Sequence, residues 1–180
     1  VRVRILFNPA LQSRWFMLPA IVVMVLSVLV TLLSALAIVK ERENGTMEQL
    51  SVTPIRPSEL IIGKLLPFVV VGTVVAILVA TAAVLVFGVP FRGNPLELLA
   101  MGWVFLMSLL GFGLLASTLS QTQQQAMLSA MLLLLPSFLL GGIIYPISNM
   151  PNWAQWIAAL SPIRYFAVMV RGVFIKGIGF

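Results

Sequence analysis

Three long stretches without Asp, Glu, Lys or Arg constrain the fold more than any other feature: residues 15–39, 65–91 and 98–163. A hydrocarbon core about 30 Å thick is crossed by about 20 residues of α-helix, so the first two stretches each accommodate one membrane span. The third accommodates two, because the polar run SQTQQQ at residues 120–125 divides it. We therefore predict four spans, at residues 16–39, 66–87, 98–119 and 126–145.

The spans are expected to be α-helices. A transmembrane β-strand alternates apolar and polar residues over about ten positions, whereas these stretches are continuously apolar. Small and hydroxyl-bearing residues recur within them at helical spacing. Such residues either allow helices to pack closely or line a polar path for a solute, and the sequence fits both alternatives. The residues concerned include Ser27, Thr31, Ser34, Ser108 and Thr118.

Composition excludes several classes of protein. The chain is 61% hydrophobic and 9% charged, against about 25% charged residues in a typical soluble domain. It contains no Cys, His or Asp, so the usual zinc and haem sites and the Ser-His-Asp and Cys-His catalytic groups are absent. The net charge of +6 is spread between apolar stretches, which is not the pattern of a nucleic-acid-binding protein. These features predict an all-α, multi-pass membrane protein that acts neither as an enzyme nor on nucleic acid.

The loop between the first two spans, residues 40–64, is the most informative segment. The Asn-Gly pair ending at Gly45 is a typical helix stop, and Thr46 begins a capping box that predicts a new short helix. Ser58 is expected to cap the helix that continues into the second span. The charged loop either limits the sliding of the helices or docks a cytosolic partner that moves the spans.

Four stretches of the sequence resemble the membrane subunits of type-2 ABC exporters, the permeases of the bacterial multidrug-export kind. The longest, at residues 37–67, is AIVKERENGTMEQLSVTPIRPSELIIGKLLP. The others are FGVPFRG at 87–93, GGIIYPISNMP at 141–151 and LSPIRYF at 160–166, in the order that the family has them. The resemblance covers essentially the whole chain, as a piece of a longer permease with a first span and an extracytoplasmic domain before it and a last span after it.

The resemblance implies that residues 40–64 face the cytoplasm and contact a separate ATPase subunit, which binds ATP and Mg. This chain would hold no cofactor of its own. A second permease subunit, the lipid bilayer of the bacterial inner membrane and a small amphipathic solute are the other implied partners. The coupling interface would comprise Glu41, Arg42, Glu43, Gly45, Thr46, Met47, Glu48, Gln49 and Leu50.

Residues 146–180 are expected to form an interfacial helical hairpin on the outer side, because cations interrupt their apolar sequence. Trp153 and Trp156 suit the level of the lipid headgroups, and Arg164 and Tyr165 lie on the second helix of the hairpin. The hairpin serves either as a membrane anchor or as a gate over the exit of the solute.

A permease subunit of an ABC exporter is the function that these features favour. An ion-coupled carrier is an alternative, but such carriers place an ionisable residue within the bilayer, and the four predicted spans contain none. A non-transporting scaffold subunit is the other alternative.

Overall fold

The computed structural model describes residues 13–45, 56–88, 91, 93–142 and 150–176. These residues form six α-helices and one short π-helix. The long helices are α1 (Ser13–Glu43), α2 (Pro57–Leu85), α3 (Pro95–Thr118) and α4 (Gln123–Leu140). Two shorter helices follow, α5 (Asn152–Ala158) and α6 (Pro162–Arg171), and the π-helix is Gly172–Lys176.

The predicted all-α membrane fold is confirmed. Each of α1 to α4 contains a segment long and apolar enough to cross a membrane: Pro19–Glu43, Ile61–Leu85, Pro95–Thr118 and Gln123–Leu140. The segments that contain α5 and α6 together reach the length and hydropathy of a fifth span, but they are bent by 82° at the break between them. This part of the chain therefore forms a sharply bent helical pair.

The loop between α1 and α2 is described only where it meets the end of α1 and the start of α2. α1 ends at Glu43, and Gly45 adopts a φ of 71°, which confirms the predicted helix stop. α2 begins at Pro57 with Arg56 as its N-cap, so the prediction of Ser58 as the cap was wrong by two residues. The fixed φ of proline favours the first helical position. The short helix expected from Thr46 falls in residues 46–55, outside the described part of the chain.

A short polar turn, residues 119–122, joins α3 to α4 and is called the α3–α4 turn below. The side-chain oxygen of Thr122 accepts a hydrogen bond of 3.3 Å from the backbone N–H of Gln125, which caps α4. The backbone N–H of Gln121 donates to the side-chain oxygen of Gln125 at 2.9 Å. These two bonds hold the turn in one conformation at the break that the sequence predicted.

α1 is the central helix of the fold. It packs against α2, α3, α4 and α6, and 44% of its most apolar stretch is buried, against 11% for α2. Side chains such as Val23, Leu109 and Leu134 are fully buried in the shared core of α1, α3 and α4. α1 leads directly into the loop at residue 44, so the loop is continuous with the helix that has the largest buried share of the four long ones.

Candidate functional site

Three consecutive charged residues at the end of α1 each contact a different neighbouring element. Glu41 forms an ion pair with Lys64 of α2. The Arg42 guanidinium donates a hydrogen bond of 2.9 Å from Nη1 to the backbone carbonyl of Ser120, in the α3–α4 turn. Glu43 accepts two bonds from Gln123, the first residue of α4: 3.2 Å from its backbone N–H and 2.9 Å from its side-chain amide. We call these six residues the α1 junction.

The central position of α1 explains why three adjacent side chains reach three partners. An α-helix has about 3.6 residues per turn, so consecutive side chains point about 100° apart. The end of α1 lies among α2, α3 and α4, and each direction therefore leads to a different helix end. Glu43 also lies at the start of α4, where unpaired N–H groups and the helix dipole favour a negative charge.

The junction is partly exposed to solvent. The side chain of Glu41 is 32% exposed and that of Lys64 is 18% exposed, while Arg42 and Glu43 are exposed. Ion pairs near the surface contribute only about 0–1 kcal/mol to stability, so the apolar core, rather than the Glu41–Lys64 pair, holds the helices together. The contacts of the α1 junction show which neighbours the end of α1 meets.

The predicted coupling interface is described in part. The structure describes Glu41, Arg42, Glu43 and Gly45, and all four lie at or directly after the end of α1. The other predicted members lie outside the described residues: Thr46, Met47, Glu48, Gln49 and Leu50. Sequence analysis missed Lys64, Ser120 and Gln123 as partners. The available signal was the predicted topology, which places residues 40–64 and 120–125 on the same side of the membrane.

The three hydroxyl residues of α1 are fully buried. Ser27 donates to the carbonyl of Val23 at 2.6 Å, and Ser34 donates to that of Thr31 at 3.1 Å. α3 approaches this face closely at Gly113, where an added Cβ would lie 2.8 Å from the Cβ of Ser34 and 2.9 Å from the carbonyl oxygen of Thr31. The burial favours helix packing over a solute path for these three residues.

The two hydroxyl residues of α3 have a different environment. Ser108 is half-buried and donates to the carbonyl of Val104 at 3.1 Å, and Thr118 is exposed and donates to that of Leu115 at 2.8 Å. Val104 and Leu115 are themselves 68% and 54% exposed. This face of α3 is therefore open to lipid, to another subunit or to a solute.

A cavity of about 410 Å³ lies between α1, α2, α3 and α6. Its lining is apolar except for Thr81, whose hydroxyl donates to the carbonyl of Ile77 at 2.7 Å. Leu26 lines the cavity about 22 Å along α1 from Glu41, so the cavity and the α1 junction lie towards opposite ends of the bundle. A cavity of this size and chemistry accommodates the apolar part of a small molecule. The sequence did not predict it, because its lining comes from four separate helices.

The predicted outer residues lie in the bent helical pair. Trp153 and Trp156 of α5 are 67% and 79% exposed, as expected of side chains that meet the headgroup region. The hydroxyl of Tyr165 donates to the carbonyl of Ala159 at 2.8 Å and so connects α6 to the bend. Arg164 is half-buried, and its guanidinium carbon lies 5.9 Å from the centre of the Tyr165 ring.

Comparison with known proteins gives relatives over nearly the whole chain. Over 97% of its own length, the chain is 34% identical to the probable multidrug ABC transporter permease YbhR of Escherichia coli K12. Over 98% of its length, it is 36% identical to the probable multidrug ABC transporter permease YbhS of the same organism. It is 31% identical to the inner membrane transport permease YhhJ of Escherichia coli K12 over 98%. The chain spans 47–48% of the length of these relatives. No solved structure matches it significantly.

A family model agrees with these relatives. The model described as ABC-2 type transporter matches residues 5–175, which include every described helix from α1 to α6. The resemblance found in the sequence motifs is thereby confirmed. The chain belongs to the ABC-2 type transporter family.

Proposed function

We propose that the chain is part of the membrane-spanning region of a permease subunit of an ABC exporter in the bacterial inner membrane. A separate cytosolic ATPase subunit binds ATP and Mg, and its motion drives a solute across the membrane. The names of the relatives support this function, since two of them are named multidrug ABC transporter permeases and one an inner membrane transport permease. The observation that carries the proposal is the α1 junction, which connects the predicted ATPase-facing loop to three helices.

The ATPase contact lies at residues 41–50 in this proposal, and we call these residues the coupling segment. A displacement of this segment moves α1 through the continuous backbone at residue 44. It moves α2 both through the loop and through the ion pair between Glu41 and Lys64. Because α1 packs against α2, α3, α4 and α6, a tilt of α1 changes the contacts of the whole bundle. The motion therefore alternates the access of a solute path between the two sides of the membrane.

The solute is a small amphipathic molecule in this proposal. The 410 Å³ cavity offers an apolar site towards the outer side, and the partly exposed hydroxyls of Ser108 and Thr118 offer hydrogen-bonding groups on another face. A second permease subunit completes the path along the exposed faces of the helices. The bent helical pair lies over the outer end, where Trp153 and Trp156 contact the headgroups and Tyr165 holds the bend.

The test uses the full-length permease and its ATPase in liposomes. Glu41→Ala and Glu43→Ala are expected to insert normally and to keep ATP hydrolysis while losing solute transport, because the coupling segment no longer positions its neighbours. Glu97→Ala is the matched control, since Glu97 lies in the first turn of α3, at the other end of that helix from the α3–α4 turn. Wild-type transport by both junction variants would contradict the proposal.

A second measurement separates an ABC exporter from an ion-coupled carrier. The permease is purified from its native membrane, and its associated proteins are identified. An exporter subunit is expected to retain a soluble ATPase and to lose transport when ATP is withheld. Transport that continues without ATP and follows an ion gradient would instead favour the carrier.

A further inference from the structure

We infer that the α3–α4 turn is driven together with the coupling segment, through Arg42 and Glu43 acting as positioning residues. This inference rests on the proposed function and extends it to α4. The chain connects residue 45 to α2, but it does not connect it directly to the turn, which lies about 75 residues further along. The link to the turn therefore comes from contacts between the helices. Near the turn, apolar side chains such as Val39, Ala116 and Ala126 pack α1 against α3 and α4. Two polar contacts at adjacent positions of α1 reach Ser120 of the turn and Gln123 directly after it.

The first contact joins Arg42 to Ser120, a residue with further hydrogen-bond partners in α3 and α4. Its target is the backbone carbonyl of Ser120, and the side chain of Ser120 is fully buried. The Ser120 hydroxyl donates to the carbonyl of Ala116 at 2.7 Å and lies 3.1 Å from the hydroxyl of Ser129, in α4. A displacement of Arg42 is therefore transmitted to both helices that meet at the turn.

The second contact attaches Glu43 to the first residue of α4. One carboxylate oxygen accepts bonds from both the backbone N–H and the side-chain amide of Gln123. Hydrogen bonds to a charged acceptor are about twice as strong as neutral ones, and the start of a helix adds a favourable dipole.

The turn itself is supported by hydrogen bonds to the start of α4. Thr122 caps α4 through Gln125, and Gln125 in turn binds the backbone of Gln121. On another side of α1, Glu41 holds Lys64 of α2. The end of α1 is thus attached to α2 and to the turn at once, so a single displacement of the coupling segment moves both.

The experiment measures the amount of solute transported per ATP hydrolysed by the full-length permease with its ATPase in liposomes. Arg42→Ala and Glu43→Ala are each expected to lower this ratio about fivefold or more, the range of typical coupling between sites. Arg42→Lys keeps a donor for the Ser120 carbonyl and is expected to restore most of the ratio. A purely structural role would lower the amount of permease in the membrane and leave the ratio unchanged.

A cross-link provides a second test that does not depend on those variants. Residues 1–180 contain no Cys, so Glu43→Cys together with Gln123→Cys introduces the one pair of thiols within this part of the permease, and the wild-type permease treated with the same reagent is the control. The two substitutions remove the contact between the side chains of Glu43 and Gln123, and a short bifunctional thiol reagent then joins the two positions covalently. We expect the cross-link to raise the ratio back towards the wild-type value. A ratio that stays low after cross-linking would show that this attachment does not carry the coupling. A ratio that falls to zero would show that the two elements have to move apart. Either result would overturn the inference.

The outcomes separate this inference from the proposed function. If the wild-type permease binds no ATPase or transports without ATP, the proposed function fails. If the wild type is coupled, Glu41→Ala is uncoupled, and Arg42→Ala and Glu43→Ala are as well coupled as the wild type, the proposed function stands and only the role of the α3–α4 turn is wrong.

Discussion

The close approach of α1 and α3 at Gly113 leads to a quantitative prediction for Gly113→Ala. A methyl group at this position would lie 2.8 Å from the Cβ of Ser34 and 2.9 Å from the backbone carbonyl oxygen of Thr31. Both distances are shorter than normal van der Waals contact, and a backbone oxygen cannot rotate away as a flexible side chain would. The two helices have to separate, and the buried face of α1 loses contacts with α3.

The size of the effect follows from two opposing contributions. Replacing Gly by Ala in the interior of a helix stabilises it by about 0.8–1.0 kcal/mol. Forcing an extra methyl group into a packed contact costs about 1–3 kcal/mol. Gly111→Ala is the matched control, because it lies in the same helix and an added Cβ there meets nothing within 4 Å. Both variants gain the same helix propensity, so Gly113→Ala should be less stable than Gly111→Ala by about 1–3 kcal/mol.

The measurement is the free energy of unfolding of the full-length permease in detergent micelles, by denaturant titration of both variants in parallel. Ser34→Gly removes the close contacts of the added methyl group with both Oγ and Cβ of Ser34, leaves the one with the Thr31 carbonyl, and should recover part of the loss in a Gly113→Ala background. A Gly113→Ala protein as stable as Gly111→Ala would show that α1 and α3 do not approach each other in this way.

Four further predictions concern the junction, the turn, the topology and the cavity. Glu41→Lys and Lys64→Glu should each lower transport per ATP, and the double exchange should restore it because the ion pair re-forms. Thr122→Ala should lower the free energy of unfolding by about 1 kcal/mol through loss of the α4 cap, whereas Thr122→Ser should not. Asn44→Cys should react with a membrane-impermeant thiol reagent only from the cytoplasmic side, since Asn44 is exposed directly after α1. Ala80→Phe should occupy part of the 410 Å³ cavity and reduce transport of apolar solutes more than ATP hydrolysis.

Each of these predictions has a result that would contradict it. A double charge exchange no better than either single variant would show that Glu41 and Lys64 act separately. Equal unfolding free energies for Thr122→Ala and the wild type would show that the Thr122 side chain does not stabilise the start of α4. Labelling of Asn44→Cys from outside the cell would show that the loop after α1 does not face the cytoplasm. Unchanged transport by Ala80→Phe would place the solute elsewhere.

The sequence predicted the four long apolar helices of the described residues and several helix ends, because both depend on local chemistry. Charged residues are costly within a bilayer, so stretches without them mark the spans. The end of α1 before Gly45 and the break at residues 119–122 follow from turn-forming and polar residues. The predicted cap of α2, Ser58, was two residues too late. The observed cap is Arg56, and Pro57 is the first residue of the helix.

The sequence did not predict how the helices are arranged. The long helices are apolar around their whole circumference, so periodicity does not indicate which face is buried. The central position of α1, and with it the partners of Glu41, Arg42 and Glu43, depends on contacts between helices far apart in the chain. For the same reason Ser27, Thr31 and Ser34 could not be distinguished from Ser108 and Thr118 before their burial was known.

The unequal burial of α1 and α2 determines how a displacement of the loop between them is shared. One end of the loop is continuous with a helix enclosed on several sides, and the other with a helix of which only 11% of the most apolar stretch is buried. A helix that packs against more neighbours has more side chains to repack when it tilts. Within the described residues, a given displacement of the loop therefore meets more packed side chains along α1 than along α2.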